Sequence, residues 1–248
     1  MRSQGRRYLI TGASSGIGEA LARELAAQGY DLALAARSLD RLEALAKELA
    51  DQFGNRVAAL PLDVTDPAAC QDTVSLAAHT LGSLDGVIAN AGIALAGKAG
   101  GGHFERIQRT LDTNLTGAIA CLDAATALFR QQGHGHLVAV ASVAGKRGLP
   151  YAAAYSASKA GLIAYMESLQ AELLGKGIDT TLILPGFIDT PLNRDMGKRP
   201  FLIDAKRGAA LIAKHVTKRS RSAYVPAWPW AILGRLLPHL PTSLIAKT

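Results

Sequence analysis

RYLITGASSGIG, residues 7–18, reads as a strand, a glycine turn and the start of a helix. The apolar run 7–11 is short and bounded by glycine, as strands are. Gly12 permits the tight turn, Gly16 lets the backbone approach a pyrophosphate, and Gly18 allows close packing of helix on strand. The helix that follows directs free N–H groups and the positive end of its dipole at the turn, which suits an anion. The spacing is G-x-x-x-G-x-G rather than G-x-G-x-x-G. No lysine follows a G-x-x-x-x-G frame, so a P-loop nucleoside triphosphatase is excluded.

Outward from this unit, short apolar runs alternate with helical patterns. A helix over 17–28 stops at Gly29, a strand covers 31–36, and a helix over 40–53 carries Leu42, Leu45, Ala46 and Leu49 on one face before Gly54. A third strand covers 57–64, and Asp66-Pro67 reads as an N-cap with proline at the first helical position. There follow a strand over 84–92, a long helix over 104–130, a strand over 136–142, a second long helix over 152–175, and strands over 179–186 and 223–225. The strand runs are nearly continuous Val, Ile, Leu and Ala, the pattern of strands buried on both faces. The expectation is α/β: a single domain over 1–248, doubly wound, with a parallel seven-stranded sheet, right-handed crossovers and helices on both faces. Ligands of such sheets lie beyond the carboxyl ends of the strands. The segments that matter are therefore 11–18, 37, 63–64, 90–93, 142–145 and 185–190.

Composition narrows the function. The chain has 248 residues, 49% apolar and 19% charged, which excludes disorder. Cys70 and Cys121 stand in no metal or disulfide spacing and read as small buried hydrophobes. His134 and His136 read as a surface turn without a third ligand, so no metal site is expected. The start MRSQGRR is too polar for a signal peptide, no long apolar stretch follows Arg6-Arg7, and no run reaches the ~18 apolar residues of a membrane span. A cytoplasmic protein is expected. Net charge is +7, yet residues 198–248 hold ten basic side chains against the single acid Asp204. That suits an anionic partner, but no nucleic-acid module is recognisable and no nucleic-acid partner is expected.

Four segments together resemble the short-chain dehydrogenase/reductase family, in order and spacing over roughly residues 6–195. They are TGASSGIG at 11–18, Asn90-Ala91-Gly92, Ser142, and YSASK at 155–159. The resemblance implies a Rossmann-type fold and hydride transfer between a nicotinamide and a carbonyl or secondary alcohol. It implies cofactor-binding positions at Gly12, Ser14, Ser15, Gly16, Ile17 and Gly18. Asp63 and Val64 would hold the adenine, and Ala91 and Gly92 would pass close to the cofactor while Asn90 buttresses the central strand. Pro185, Gly186, Ile188 and Thr190 would meet the nicotinamide. The second strand ends in Ala36-Arg37, without the carboxylate that NAD-preferring proteins of this kind place there. Arg37 can pair bidentately with a 2′-phosphate and Ser14 can add a hydroxyl, so NADP(H) is the expected cofactor.

Tyr155 and Lys159, four apart, share a helix face. By the resemblance, Tyr155 is the acid/base, Lys159 binds it and the nicotinamide ribose, and Ser142 orients the carbonyl. A phenol of pKa ~10 must fall by ~3 units, about 4 kcal/mol, to act as a base near neutrality. Asn114 resembles the family's helix asparagine, which holds a water between Lys159 and solvent. The alternative, a catalytically silent NADP-binding sensor or scaffold, is disfavoured by the intact Ser142, Tyr155 and Lys159. An epimerase of the longer related kind would space its loop as TGxxGxxG and carry a larger C-terminal domain. Residues 187–205 are the expected variable substrate loop. Val143, Leu149, Phe187, Leu192 and Phe201 favour a small, lipophilic carbonyl or alcohol. The resemblance also implies a homodimer or homotetramer packed through helices 104–130 and 152–175, the latter with Ala160, Gly161 and Ala164.

The segment 226–248 is an apolar and basic tail holding both tryptophans, Trp228 and Trp230, followed by Ile232, Leu233, Leu236, Leu237 and Leu240. It either folds over the substrate pocket or a subunit interface, or lies on a membrane with Lys214, Lys218, Arg219 and Arg221 toward anionic lipid. The packed placement is expected, because buried leucines are the default.

Overall fold

The computed structural model describes residues 6–246. The polar stretch 1–5, on which the signal-peptide reading rests, lies outside the described residues, as do 247–248. Strands β1 (Arg7–Thr11), β2 (Asp31–Ala36), β3 (Val57–Pro61), β4 (Gly86–Ala89), β5 (Gly135–Val140), β6 (Ile178–Pro185) and β7 (Ser222–Val225) form one parallel sheet in the order β3-β2-β1-β4-β5-β6-β7. β1 aligns Thr11 with Ala35 of β2, and β5 aligns Val140 with Ile183 of β6, so the carboxyl ends of the central strands share one edge.

Helices cover both faces. α1 (Gly16–Ala27), α2 (Leu39–Phe53) and α7 (Ala205–Thr217) bury Leu21, Leu42 and Ile212 with Ile10 and Leu34 on one side. α3 (Pro67–Leu81), α5 (Gly117–Gln132) and α6 (Ala153–Glu172) bury Val74, Leu122 and Leu162 with Leu9 and Leu137 on the other. Local chemistry sets the ends. Asp66 caps α3 by accepting from the Ala68 and Ala69 N–H groups, with Pro67 first in the helix. Gly54 closes α2 in the left-handed conformation. Cys70 and Cys121 are fully buried between α3 and α5 and pack thiol against thiol. Arg7 lies in β1 and grips the buried Asp85 carboxylate at 2.9 Å.

Three expectations need correction. The helix over 104–130 is not continuous. α4 (Phe104–Leu111) passes through a wide π turn, Asp112–Thr116, into α5. The buried Asn114 sits in that turn with its amide engaged outside the helix, the setting in which a π turn replaces α geometry. The strands over 57–64 and 84–92 are shorter, ending at Pro61 and Ala89, because the chain leaves the sheet where Asp63 and Asn90 turn to bond loop backbone.

His136 is not in a surface turn. It is fully buried in β5, between the Tyr8 hydroxyl (2.8 Å from Nδ1) and the Thr181 hydroxyl (2.8 Å from Nε2). A neutral imidazole satisfies both, one nitrogen donating and the other accepting. Burial lowers its pKa from 6.5 to about 3. The unfolded chain therefore binds a proton that the folded one refuses between about pH 6.5 and pH 3. Stability is complete above 6.5 and falls by ~1.4 kcal/mol per pH unit as pH drops through that window. The midpoint for urea unfolding should decline from pH 7 to pH 4, and His136→Asn should flatten the decline. An unchanged slope in the variant would refute this assignment.

Candidate active site

The first element of the site is the loop after β1. Gly12 has φ +67°, and a Cβ there would lie 2.7 Å from Ala91 Cα. A Cβ on Gly18 would lie 2.3 Å from the Gly12 carbonyl oxygen. The glycines thus let β1, α1 and the loop after β4 come into backbone contact. Thr11 Oγ1 accepts from the Asn90 and Ala91 N–H groups (3.1 and 3.2 Å), and Asn90 Nδ2 donates to the Thr11 and Gly12 carbonyls (3.0 and 3.3 Å). Asn90 therefore buttresses the loop rather than facing a ligand. Ser15 stands at the N-cap of α1 without a side-chain cap, so the N–H groups of the first turn remain open beside the half-exposed Ser14, Gly16 and Ile17.

At the far end of this loop, Arg37 is exposed directly after β2. It lines a cavity of about 520 Å³ with Asp63, Thr65, Phe104 and Arg109. Asp63 Oδ1 accepts from the Thr65 N–H and hydroxyl (3.0 and 2.9 Å). These bonds, with help from the Arg37 and Arg109 guanidiniums, hold its carboxyl below the usual range. Val64 is buried beside it. Arg109 carries no signal in the sequence. Only the fold of α4 over the end of β3 brings it to this wall.

The second cluster lies beyond β5. Ser142 is buried and its hydroxyl accepts from the Ala144 N–H (3.1 Å). Lys159 is 4% exposed, and its Nζ donates to the Val140 carbonyl (2.9 Å) and lies 5.9 Å from the Tyr155 ring centre. Burial lowers Lys159 to about 8, still cationic at neutrality. Burial raises the Tyr155 phenol, and the Ser142 hydroxyl pulls it back. The expected lowering by Lys159 is not among these influences, since the ammonium is turned to the Val140 carbonyl. Asn114 accepts from the Ile93 N–H (2.7 Å) and donates to the Ile93 carbonyl (2.8 Å) and to Ser158 Oγ (3.3 Å). It thus fixes the loop that brings Gly92 between its own amide and the Lys159 ammonium.

The third cluster follows β6. Pro185 and Gly186 leave the sheet, and the Gly186 N–H donates to the Val225 carbonyl (2.9 Å). Thr190 is buried and lies over Gly16, bridging to the glycine loop. Ile188 is buried, and its carbonyl accepts from Asn193 Nδ2 (2.9 Å), a clamp the sequence did not announce. Val143 is buried, Leu149 and Phe187 are half-buried, and Leu192 and Phe201 are exposed.

The tail departs from the packed expectation by half. α8 (Ala227–Leu236) buries Trp230, whose ring lies 6.0 Å from both Phe187 and Phe201 and leaves room only for glycine at 186. Arg147 Nη2 ties the chain down through the Leu240 carbonyl and Thr242 hydroxyl (3.1 and 3.2 Å). Trp228, however, is 75% exposed. The cations Lys214 to Arg221 lie before β7 at the amino end of the sheet, and Arg219 is paired there with Asp179. They do not share the tail's surface.

Comparison with known proteins agrees with this geometry. The family model described as short chain dehydrogenase matches residues 6–200. An uncharacterised oxidoreductase of Mycobacterium tuberculosis is 39% identical over 244 residues, which cover 98% of this chain and 96% of that one. An uncharacterised oxidoreductase of Myxococcus xanthus is 39% identical over 240 residues, covering 96% and 94%. Among solved structures, an alcohol dehydrogenase of the archaeon Thermococcus sibiricus, complexed with 5-hydroxy-NADP, superposes with a TM-score of 0.80 at 29% identity, covering 88% of this chain and 95% of that one. The open glycine loop, the Ser142, Tyr155 and Lys159 cluster and the match over most of the length lead to one conclusion: this chain belongs to the short-chain dehydrogenase family and is an oxidoreductase.

Proposed function

We propose that this protein is an NADP(H)-dependent carbonyl reductase or alcohol dehydrogenase in which Tyr155 is the acid/base. The observation that carries the reading is the convergence of Ser142, Tyr155 and Lys159 at the carboxyl end of β5. The residues present fit a dinucleotide. The uncapped first turn of α1 receives the pyrophosphate, the cavity lined by Arg37 and Asp63 takes the adenosine end, and Thr190 closes over the glycine loop. When bound, the cofactor donates or accepts the hydride.

The chain's own groups handle the proton. In reduction, the Tyr155 phenol gives its proton to the substrate oxygen as negative charge develops there. The buried Ser142 hydroxyl donates to the same oxygen and holds it. Burial keeps the Tyr155 phenol protonated until it meets the substrate oxygen, and Lys159, cationic beside its ring, is the charge that offsets the phenolate left behind. Residues 187–205 form the substrate loop and 226–246 close it from the tail side. With Val143, Leu149 and Phe187 they favour a lipophilic carbonyl compound. Nicotinamide absorbance followed with purified protein against an aldehyde and ketone panel tests the assignment, and a binder of NADPH inert to the whole panel would overturn it.

Self-association belongs to the same proposal. Ala157, Ala160 and Ala164 lie exposed along α6, whereas Gly161 is small because Leu115 of the same chain covers it at about 3 Å. Light scattering should give a multiple of 25.9 kDa at micromolar concentration. Monomers alone would refute the helix-packed dimer.

A further inference from the structure

Because every strand is parallel, the loop after β6 and the tail after β7 leave the sheet at the carboxyl edge, where Ser142 and Tyr155 lie. Trp230 joins the two segments through Phe187 and Phe201, and Arg147 anchors the tail to the loop after β5. They make one surface around the mouth of the proposed pocket. α8 turns Trp230 and Gly234 inward and leaves Ile232 and Leu236 exposed at 50% and 51%, and Trp228, at the kink that opens the helix, is 75% exposed. Leu192 and Met196 of the β6 loop are also exposed, at 41% and 49%.

Cations border this apolar stripe. Arg194, Lys198, Lys206, Arg207 and Arg235 are exposed, and none is in an ion pair with a described carboxylate. Two of the acids in these segments are already engaged: Asp189 is paired with Arg199, and Asp204 caps α7. Among the described residues no helix is long and apolar enough to cross a membrane. The geometry is that of a helix lying flat, with an exposed tryptophan and aliphatics between basic side chains.

We propose that this surface docks on a membrane containing anionic phospholipid, with α8 in the headgroup region and the pocket mouth facing the lipid. Charge decides the occupant. An isologous contact between two copies would press this basic patch against the same basic patch of the other copy. Phosphate headgroups neutralise these cations while the acyl boundary covers Trp228, Ile232 and Leu236. The facing of the pocket rests on the proposed function, but the docking does not, because binding is read without turnover.

The test uses the full-length chain with phosphatidylcholine vesicles, with and without 30 mol% phosphatidylglycerol, in low salt. The protein should float with the anionic vesicles at least 10-fold more than with the neutral ones, and half-molar sodium chloride should release it. Trp228 emission should shift to shorter wavelength on binding, and Trp228→Phe should remove the shift. The variant Trp228→Ser/Ile232→Ser/Leu236→Ser should lose at least 10-fold in flotation with an unchanged circular dichroism spectrum. Should that variant misfold, Lys198→Glu/Lys206→Glu supplies the same readout from exposed positions. Equal binding to both vesicle types, or flotation indifferent to the variants, overturns the proposal. So does wild-type protein that ignores vesicles and whose particle mass drops only when the apolar stripe is removed, for the stripe is then a contact between copies. A chain that floats as expected but turns over no carbonyl leaves the docking standing and removes the proposed function alone.

Discussion

Tyr155→Phe is expected to lower kcat by about 10²–10⁴-fold, the usual contribution of a positioned acid or base, and to leave NADPH affinity within about twofold. The phenol is the group assigned to transfer its proton: the Lys159 ammonium is turned to the Val140 carbonyl, and the Ser142 hydroxyl, which accepts from the Ala144 N–H, uses its own O–H to hold the substrate oxygen. Phenylalanine keeps the ring and its packing, so a fall in kcat without a change in Kd isolates the hydroxyl. Lys159→Ala should differ by weakening cofactor binding as well, since it removes a buried cation from the floor of the site. Stopped-flow turnover with the best ketone of the panel, beside fluorescence titration of NADPH, separates the two patterns. Substantial activity in Tyr155→Phe would remove Tyr155 from the mechanism. Ser142 would then be the remaining hydroxyl to consider.

Much of this was legible in the chain because it depends on local chemistry. The glycine loop, the Asp66-Pro67 cap and the Gly54 stop are short-range features that appear where the pattern puts them, and all seven apolar runs form strands, two of them shorter than the pattern suggests. The order of the motifs likewise led to Ser142, Tyr155 and Lys159 in one cluster. What escaped depends on partners distant in sequence. His136 looks like half of a polar turn until Tyr8 and Thr181, 128 and 45 residues away, are seen to satisfy its ring. Asn114 looks like a poor helix residue until the Ile93 backbone is beside it, and the wide turn follows from that pairing. Arg109, Asn193 and Trp230 have no motif. They matter because α4, the β6 loop and the tail converge on the carboxyl edge of the sheet. Only helical spacing was visible in the tail. Which residues turned inward was decided by Phe187 and Phe201.

Arg37→Ala is expected to weaken NADPH binding by about 10- to 150-fold, the ~1.5–3 kcal/mol of a hydrogen bond to a charged group, while NADH binding changes little. β2 ends in Ala36 with its side chain buried, so no carboxylate stands where ribose hydroxyls would be gripped and none repels a phosphate. The first polar group past the strand is the Arg37 guanidinium, on the wall of a cavity open enough for an adenosine. Its exposure argues for the lower half of the range, because water screens the pair. Arg109, on the same wall, retains part of the positive field when Arg37 is removed. Salt provides an independent check. If the preference is a charge pair with the 2′-phosphate, raising ionic strength should narrow the NADPH-to-NADH ratio in the wild type and do so less in Arg37→Ala. Direct titration of both cofactors reads the ratio. Wild-type protein that binds NADH as tightly as NADPH would refute the cofactor assignment, and an Arg37→Ala variant that keeps the full preference would move its source elsewhere on the cavity wall.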